Sequence, residues 1–185
     1  MIKYNNAIRT ARLLLGTPYS EMDCIRLIVM VIRRSSGGDP DYRCEGTNWL
    51  WRSIDNSAKY RHLTWRQNSI SGAKAGMVAF KVDGDNVHHI GLVTEKGTVI
   101  HSSSVQGCVV ETPLDKTWHA LGQHKLITVS DVESDHNIEN DTESVVNDTA
   151  IEDEETVGSL NAYTSLIRSD GMTILLAGSW RVADD

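Results

Sequence analysis

The sequence predicts an α+β domain in which helices come first and an antiparallel β-sheet follows. Residues 1–34 have apolar residues three or four positions apart, or in a nearly continuous run, as helices do. From residue 75 onward the pattern changes to short runs rich in β-branched residues, which are separated by tight turns. Helices followed by strands in this order are typical of an α+β fold.

Two helices are predicted in the first 34 residues. The first covers residues 3–15 and is amphipathic, whereas the second covers residues 24–34 and is apolar on nearly every side. A helix with so much apolar surface is expected in the centre of a domain, and Asp23 is its expected N-cap. The apolar stripe of the first helix consists of Ile8, Ala11, Leu14 and Leu15.

Short strands are predicted after the helices. A segment that contains glycine and proline, residues 34–49, is expected to form an extended loop, and a short helix is expected at residues 49–57. Four β-type runs then form an antiparallel meander, and a last strand is expected near residue 125. The four runs are residues 76–82, 88–95, 97–104 and 107–114.

Charge divides the chain into three predicted parts. Residues 1–130, the α+β domain, hold sixteen basic and eleven acidic residues, whereas residues 131–157 hold eleven acidic residues and no Lys or Arg. The acidic stretch is predicted to be a solvated linker, since its like charges repel one another. Residues 158–185 are predicted to be a short β-rich tail that is too small for a core of its own, and its role stays open.

Composition limits the classes of function. Three cysteines are too few for a disulfide framework and fit a protein made in a reducing compartment. The first twenty residues lack the apolar core of a secretory signal, and no stretch is long enough to span a bilayer. The basic surplus of the domain suits an anionic polymer such as nucleic acid or bacterial cell wall. Nucleic acid is not an expected partner, because no motif for binding it is present.

Cys24 is the first candidate functional residue, because it begins the buried second helix. The ordinary interpretation is a small apolar residue of the core. The functional interpretation is a nucleophile, since the N–H groups and the dipole at a helix N-terminus favour the thiolate. A nucleophile needs a base, and "NVHHIGLV" offers His88 or His89, only one of which can face the helix. His101 on the next strand is placed to orient that imidazole.

These segments also contain residues that are typical of metal sites and of binding grooves. His89, His101 and Cys108 are close in sequence, but their spacing matches no zinc signature, and we expect no metal or cofactor. Trp51 is expected to pack over the sheet. Trp49 either packs there too or lines one side of a groove that binds the cell-wall polymer. No catalytic role is assigned to Cys44, Cys108, His62, His119, His124 or His136.

Four segments, in order, resemble the NlpC family of papain-like cysteine peptidases, which cut bacterial cell-wall peptides. The segments are "LLGTPYSEMDCIRLIV", "AGMVAF", "HHIGLV" and "GTVIHSSS", and the resemblance covers roughly residues 5–125. It implies a papain-like, NlpC-type fold in which the Cys-bearing helix packs on an antiparallel sheet. It also implies that Cys24 is the nucleophile, His89 the base and His101 the orienting residue.

The resemblance further implies a substrate site. Tyr19, Ser20 and Asp23 fall where the family lines that site, and there the aspartate meets the free amine of a short stem peptide. The sequence departs from the family pattern beside the cysteine, where "SEM" replaces a Gly-Gly pair and "IR" replaces Ser-Gly, and at Met77, which replaces an aspartate. These departures concern the shape of the substrate pocket rather than the catalytic groups.

The implied function is cleavage of peptidoglycan stem peptides near the bond between γ-D-glutamate and a diamino acid. Two alternatives remain open at this stage, an amidase of the related CHAP type and a catalytically silent protein that binds the wall. Because no signal peptide is recognised, we expect synthesis in the cytoplasm and action on the wall after phage-type release or as part of a phage tail.

Overall fold

The computed structural model describes residues 1–131 and the backbone of two short strands, Ser165–Ile167 and Thr173–Leu175. Residues 1–131 form an α+β domain with three α-helices and six β-strands. The helices are α1 (Tyr4–Arg12), α2 (Cys24–Arg34) and α3 (Thr47–Arg52). The strands are β1 (Leu63–Gln67), β2 (Val78–Asp83), β3 (Asn86–Val93), β4 (Thr98–Ser103), β5 (Cys108–Pro113) and β6 (Ala120–His124).

The buried helix that the sequence predicts is α2, and it begins at Cys24. The Asp23 side chain accepts a hydrogen bond from the backbone N–H of Arg26 (2.8 Å), which satisfies one of the open donors of the first turn. The hydroxyl of Ser35, just after the last turn, donates to the carbonyl of Val31 (2.7 Å). Because six of its eleven residues are buried, α2 forms the centre of the core.

The first helix is shorter than the sequence predicts. It ends at Arg12, and Leu15 of the predicted apolar stripe is exposed. Gly16 follows with a φ of +80°, a left-handed conformation that glycine adopts without strain and that turns the chain out of the helix. The chain then runs beside β5, where the backbone N–H of Tyr19 donates to the carbonyl of Gly107 (2.7 Å).

The six strands form one antiparallel sheet in the order β1-β6-β2-β3-β4-β5. The segment from β2 to β5 is the predicted meander, and β6 is the predicted last strand. The edge strand β1 is a finding of the structure, since the sequence analysis assigned no strand to residues 63–67. It pairs with β6 rather than with a neighbour in sequence.

The two faces of the sheet carry separate apolar clusters. One face packs on α1 and α2 through residues that include Phe80 and Ile90. The other face carries a smaller cluster that includes Val93 and Trp118. Because side chains alternate along a strand, His89 lies on the face that carries Val93, opposite to the side chain of Ile90.

The beginning and the end of the domain lie side by side. The backbone N–H of Ile2 donates to the carbonyl of Leu126 (2.8 Å), and the N–H of Thr128 donates to the carbonyl of Ile2 (2.9 Å). Ile2 and its partner Ile127 are both fully buried. The segment after β6 is therefore part of the domain at least as far as Thr128.

Apart from residue 131, the predicted acidic linker lies outside the described residues, and so does most of the predicted tail. Within the tail, Ser165–Ile167 and Thr173–Leu175 pair as antiparallel strands. The domain boundary near residue 130 and the role of the linker stay predictions.

Candidate active site

The sulfur of Cys24 lies between α3 and β3. It is 3.8 Å from Oγ1 of Thr47, the first residue of α3, and it accepts a hydrogen bond from the backbone N–H of Ile90. Ile90 follows His89 directly in β3, so the thiol lies beside the peptide bond that joins these two residues. No hydrogen bond joins the thiol to the imidazole of His89 among the described residues: the sulfur packs on the α2 side of β3, beside Ile90, whereas the His89 ring packs on Trp118 at the other face.

The loop that leads to Cys24 is held by the sheet. Ser102, a fully buried residue of β4, donates from its hydroxyl to the carbonyl of Met22 (2.5 Å). Further back in the loop, Tyr19 is bonded through its N–H to the backbone beside β5. These contacts, together with the Asp23 cap, fix the backbone on both sides of the turn into α2.

Burial keeps the thiol of Cys24 protonated. Only 7% of the residue is exposed, and this burial raises the pKa of the thiol above its usual value. The hydrogen bonds to Thr47 and Ile90 favour the thiolate but do not outweigh burial, and the charge of Asp23 raises the pKa further. The expectation that the helix N-terminus favours a resting thiolate is therefore wrong for this site, because desolvation is the larger effect.

His89 and His101 form a hydrogen-bonded pair. The Nε2 atom of His89 is 2.8 Å from Nδ1 of His101, and Nε2 of His101 is 3.1 Å from Oγ1 of Thr112. The indole ring of Trp118 packs on both imidazoles, with centroid distances of 5.5 Å and 5.3 Å. With its Nε2 atom occupied by His101, His89 has Nδ1 left for a second partner.

Both imidazoles of this pair are neutral in the folded protein. Burial, followed by the charges of His101, Lys81 and His88, lowers the pKa of His89 to about 3. Burial and the charge of Lys81 lower the pKa of His101 to about 4. A neutral imidazole can take a proton, so the pair is in the state that a general base requires near pH 7.

The choice between His88 and His89 follows from an irregularity in β3. Lys81 of β2 pairs with His89, but the next residue, Val82, pairs with Val87, so His88 has no partner in the β2–β3 ladder. His88 is exposed, whereas His89 is half-buried and contacts His101. The resemblance to the family motif implies His89 as the base, and no signal in the sequence predicts this bulge.

The predicted substrate residues differ in their position relative to the thiol. Tyr19 lies near the thiol, since the charge of Cys24 acts on its phenol. Burial is the largest cause that raises the pKa of this phenol, followed by the charges of Cys24 and Asp23. Ser20 and Asp23 are exposed in the same loop. Trp49 is 49% exposed, and its indole N–H donates to Nε2 of His62 (3.2 Å), which belongs to a different group of residues.

Several residues of the site were missed by the sequence analysis. Thr112 could have been found, because Val110 pairs with His101 across β4 and β5 and Thr112 lies two positions further on the same face. Thr47 and Trp118 come from segments that have no regular register with the sheet, so no sequence signal places them. Ser102 lies in the quoted "VIHSSS" segment, but two more serines follow it and nothing in the sequence singles it out.

The domain is similar in structure to a solved protein domain. The chain is similar to the NlpC/p60 domain of the peptidoglycan hydrolase SagA, with 20% sequence identity and a TM-score of 0.47. The match covers 65% of this chain and 97% of that domain's chain. No family model and no curated protein matches the sequence.

A second polar cluster, which we call the Tyr42 network, lies at the other end of the sheet. The hydroxyl of Tyr42 is 2.8 Å from Nδ1 of His62 and 2.9 Å from Nε2 of His124. His124 accepts from the N–H of Leu126 at Nδ1, and His62 accepts from Trp49 at Nε2, so each neutral ring donates its proton to Tyr42. No role for His62 or His124 is predicted from the sequence.

The described residues offer neither a metal site nor a membrane span. Within residues 1–131, no three or more side chains of His, Cys, Asp and Glu are grouped so that they could hold a metal ion. No helix of the described part is long and apolar enough to cross a bilayer.

A cleft of about 680 Å³ is lined by Arg52, Arg66, His119 and their neighbours, and Cys24 does not line it.

Proposed function

We propose that the domain is a cysteine endopeptidase that cleaves peptidoglycan stem peptides, with Cys24 as nucleophile, His89 as base and His101 as orienting residue. The proposed bond joins γ-D-glutamate to a diamino acid, as the sequence resemblance implies. The observation that carries the proposal is the hydrogen-bonded His89–His101 pair on the sheet, next to the point where the Ile90 N–H contacts the Cys24 sulfur. Acyl transfer through a thiol requires a nucleophile, a base and an orienting group.

The first step is a proton transfer coupled to attack. In the productive tautomer, His101 donates its Nε2 proton to Thr112 and accepts at Nδ1 from Nε2 of His89. Nδ1 of His89 is then unprotonated. In the proposed step the two side chains, which are not hydrogen-bonded to each other in this structure, approach, and Nδ1 takes the proton of the Cys24 thiol while the sulfur attacks the carbonyl carbon of the scissile peptide. The backbone N–H of Cys24 is the proposed donor to the oxyanion.

The second half of the reaction returns the enzyme to its starting state. The C–N bond breaks as the protonated His89 gives its proton to the leaving amine, and the acyl group stays on the Cys24 sulfur as a thioester. Water, activated by His89, then attacks the thioester carbonyl and releases a carboxylic acid and the thiol. Because both resting groups are neutral, the energy of charge separation is part of the barrier rather than of the resting state.

The substrate peptide is proposed to bind along the loop before α2. The Oδ1 atom of Asp23 caps the helix, and the second oxygen of an exposed carboxylate can accept from the free amine of a stem peptide. Tyr19 and Ser20 are proposed to line the same site. Trp49, an exposed residue of α3, is proposed to line one side of the substrate groove.

Mass spectrometry of purified sacculi after digestion tests the proposal. The unaltered chain is expected to release muropeptides cut inside the stem peptide, whereas Cys24→Ala is expected to release none and still to bind sacculi. Cys108→Ala is the matched control, since this half-buried thiol lies outside the proposed chemistry, and it is expected to keep its activity. Peptides freed from the sugar would identify an amidase instead, and unchanged release by Cys24→Ala would refute the role of this thiol.

A pair of histidine variants tests the role of His89. His89→Ala is expected to lose at least 100-fold in kcat/KM, because general-base catalysis typically contributes about 10²–10⁴-fold. His88→Ala is the matched control and is expected to stay within about threefold, since that side chain is exposed at the bulge. A larger loss for His88→Ala would mean that the base has been assigned to the wrong residue.

The place of action is a proposal too, namely synthesis in the cytoplasm and access to the wall after phage-type release or on a phage tail. Bacteria that produce the chain alone are then expected to grow normally, while their lysate clears added sacculi. Lysis from within by the chain alone would contradict this route.

A further inference from the structure

Lys81 stands directly opposite His89 in the sheet. The two residues are cross-strand partners in the β2–β3 ladder, so their side chains share one face. The Nζ atom of Lys81 lies 4.9 Å from the centroid of the Trp118 ring and 3.0 Å from Oγ1 of Thr117, which accepts a hydrogen bond from it. A cation–π contact and a hydrogen bond thus fix the position of the ammonium group.

The ring that holds Lys81 also packs on the histidine pair. Trp118 is buried and contacts both His89 and His101, so the three side chains and Lys81 form one continuous group on this face of the sheet. The charge of Lys81 lowers the pKa of each imidazole, after the larger effect of burial and, for His89, that of its partner. One fixed cation therefore acts on both members of the pair.

Several other charged or titratable groups surround the pair. Cys24 on the side of α2 holds a neutral thiol, and exposed His88 on β3 acts on His89 in the same direction as Lys81. Asp115 is reached from Lys81 through Thr117, whose hydroxyl donates to the carboxylate (2.6 Å). The charges that act on the pair come from Lys81 on β2 and, for His89, from His88 on β3. Asp115, from the loop before β6, is linked to the pair only through Thr117 and Lys81, and Cys24, with its cap Asp23 and nearby Tyr19, lies with α2 beside the backbone of Ile90.

We propose that Lys81 is a positioning residue which, held by Trp118 and Thr117, disfavours a positive charge on the His89–His101 pair and thereby shifts the acidic limb of the reaction's pH profile to lower pH. The inference rests on the proposed function for its catalytic part. It does not depend on that function for its electrostatic part, which concerns the two imidazoles alone.

The ammonium group has opposite effects on the two proton transfers. It lowers further the pH at which His89 takes up a proton, so the base remains available over a wider acidic range. Once His89 has taken the thiol proton, the same charge makes the imidazolium a stronger acid and favours transfer to the leaving amine. The cost is that the first transfer becomes harder, which an uncharged residue at position 81 would relieve.

The test compares Lys81→Met, which keeps the length of the stem on Trp118 but removes the charge, with Lys81→Arg, which keeps the charge. Lys116→Met removes an exposed charge from the loop next to Thr117 and serves as the matched control. NMR titration follows the imidazole C–H signals of His89 and His101 in each full-length chain, and muropeptide release gives the profile of kcat/KM against pH.

In Lys81→Met, the midpoints of both imidazoles and the acidic limb of kcat/KM are expected to move to higher pH by about half to one unit, as removal of one nearby charge should cause. Lys81→Arg and Lys116→Met are expected to keep the original values. Unmoved imidazole midpoints in a folded Lys81→Met chain would overturn the inference, as would midpoints that move equally in Lys81→Arg. If the unaltered chain releases no muropeptides, the proposed function fails, while the NMR midpoints still decide the effect of Lys81.

Discussion

Removal of the Tyr42 hydroxyl is expected to destabilise the domain strongly, although the change is a single atom that takes no part in the proposed chemistry. In the Tyr42 network this oxygen accepts the N–H protons of His62 and His124, and it donates to the side chain of Cys44. Tyr42→Phe keeps the ring and its edge-on contacts with both imidazoles. The substitution therefore isolates the contribution of the hydrogen bonds.

The size of the loss in stability depends on which of the two histidines can form a hydrogen bond with water instead. His124 is fully buried, so its Nε2–H is left without an acceptor, and a buried unsatisfied donor costs about 1–3 kcal/mol. His62 is half-buried and can turn to solvent, which adds little. We expect a loss of about 2 kcal/mol in the free energy of unfolding, which corresponds to a fall of roughly 6–10 °C in Tm for a domain of this size.

Urea unfolding at pH 7, followed by tryptophan fluorescence and by circular dichroism, measures this loss. Tyr60→Phe is the matched control, because Tyr60 is 59% exposed, and it is expected to change stability by less than about 0.5 kcal/mol. If Tyr42→Phe costs no more than Tyr60→Phe, the Tyr42 network does not have the proton arrangement described above.

Three further predictions concern the fold. Gly91→Ala is expected to destabilise the domain by about 1–3 kcal/mol in urea unfolding, because a Cβ at this position would lie 2.3 Å from Cγ1 of Val99 and 2.9 Å from Cβ of His101. Gly46→Ala is the control and should be nearly neutral, since no atom lies within 4 Å of a Cβ built there. Equal losses in the two variants would contradict the close approach at Gly91. Burial lowers the pKa of His124 to about 3, so its contribution to stability is complete above about pH 6.5 and falls below it, by up to about 1.4 kcal/mol per pH unit. A stability curve that stays flat from pH 7 to pH 4.5 would refute this dependence. A chain ending at residue 131 is expected to fold and to retain its activity, and an unfolded product in circular dichroism would show that later residues belong to the domain.

The parts of the fold that the sequence predicts are those with a regular period. The uninterrupted apolar run of α2 and the tight turns between β2 and β5 identify these elements without any knowledge of their neighbours. The pairing of His89 with His101 also follows from local information, since one short turn joins their strands and fixes the register. Sequence reasoning therefore works where the contacts are close in the chain.

The parts that it does not predict depend on contacts between distant segments. Strand β1 is short and carries exposed Trp65, and only its pairing with β6 makes it a strand. Thr47 reaches the thiol across a loop of irregular structure. The state of Cys24 was predicted wrongly for the same reason, because the helix N-terminus is local and visible in the sequence, whereas desolvation depends on everything that packs around the sulfur.

The backbone bridge between Ile2 and Ile127 has a consequence for engineering. Since these two segments are joined by hydrogen bonds, a short flexible peptide can connect them without stretching the chain, and new ends can be opened at the exposed turn around Gly84. Such a circularly permuted chain would retain every strand pairing of the sheet. Only the covalent connection between β2 and β3 would be lost. The same closeness allows the whole unit to be inserted into a surface loop of a carrier protein.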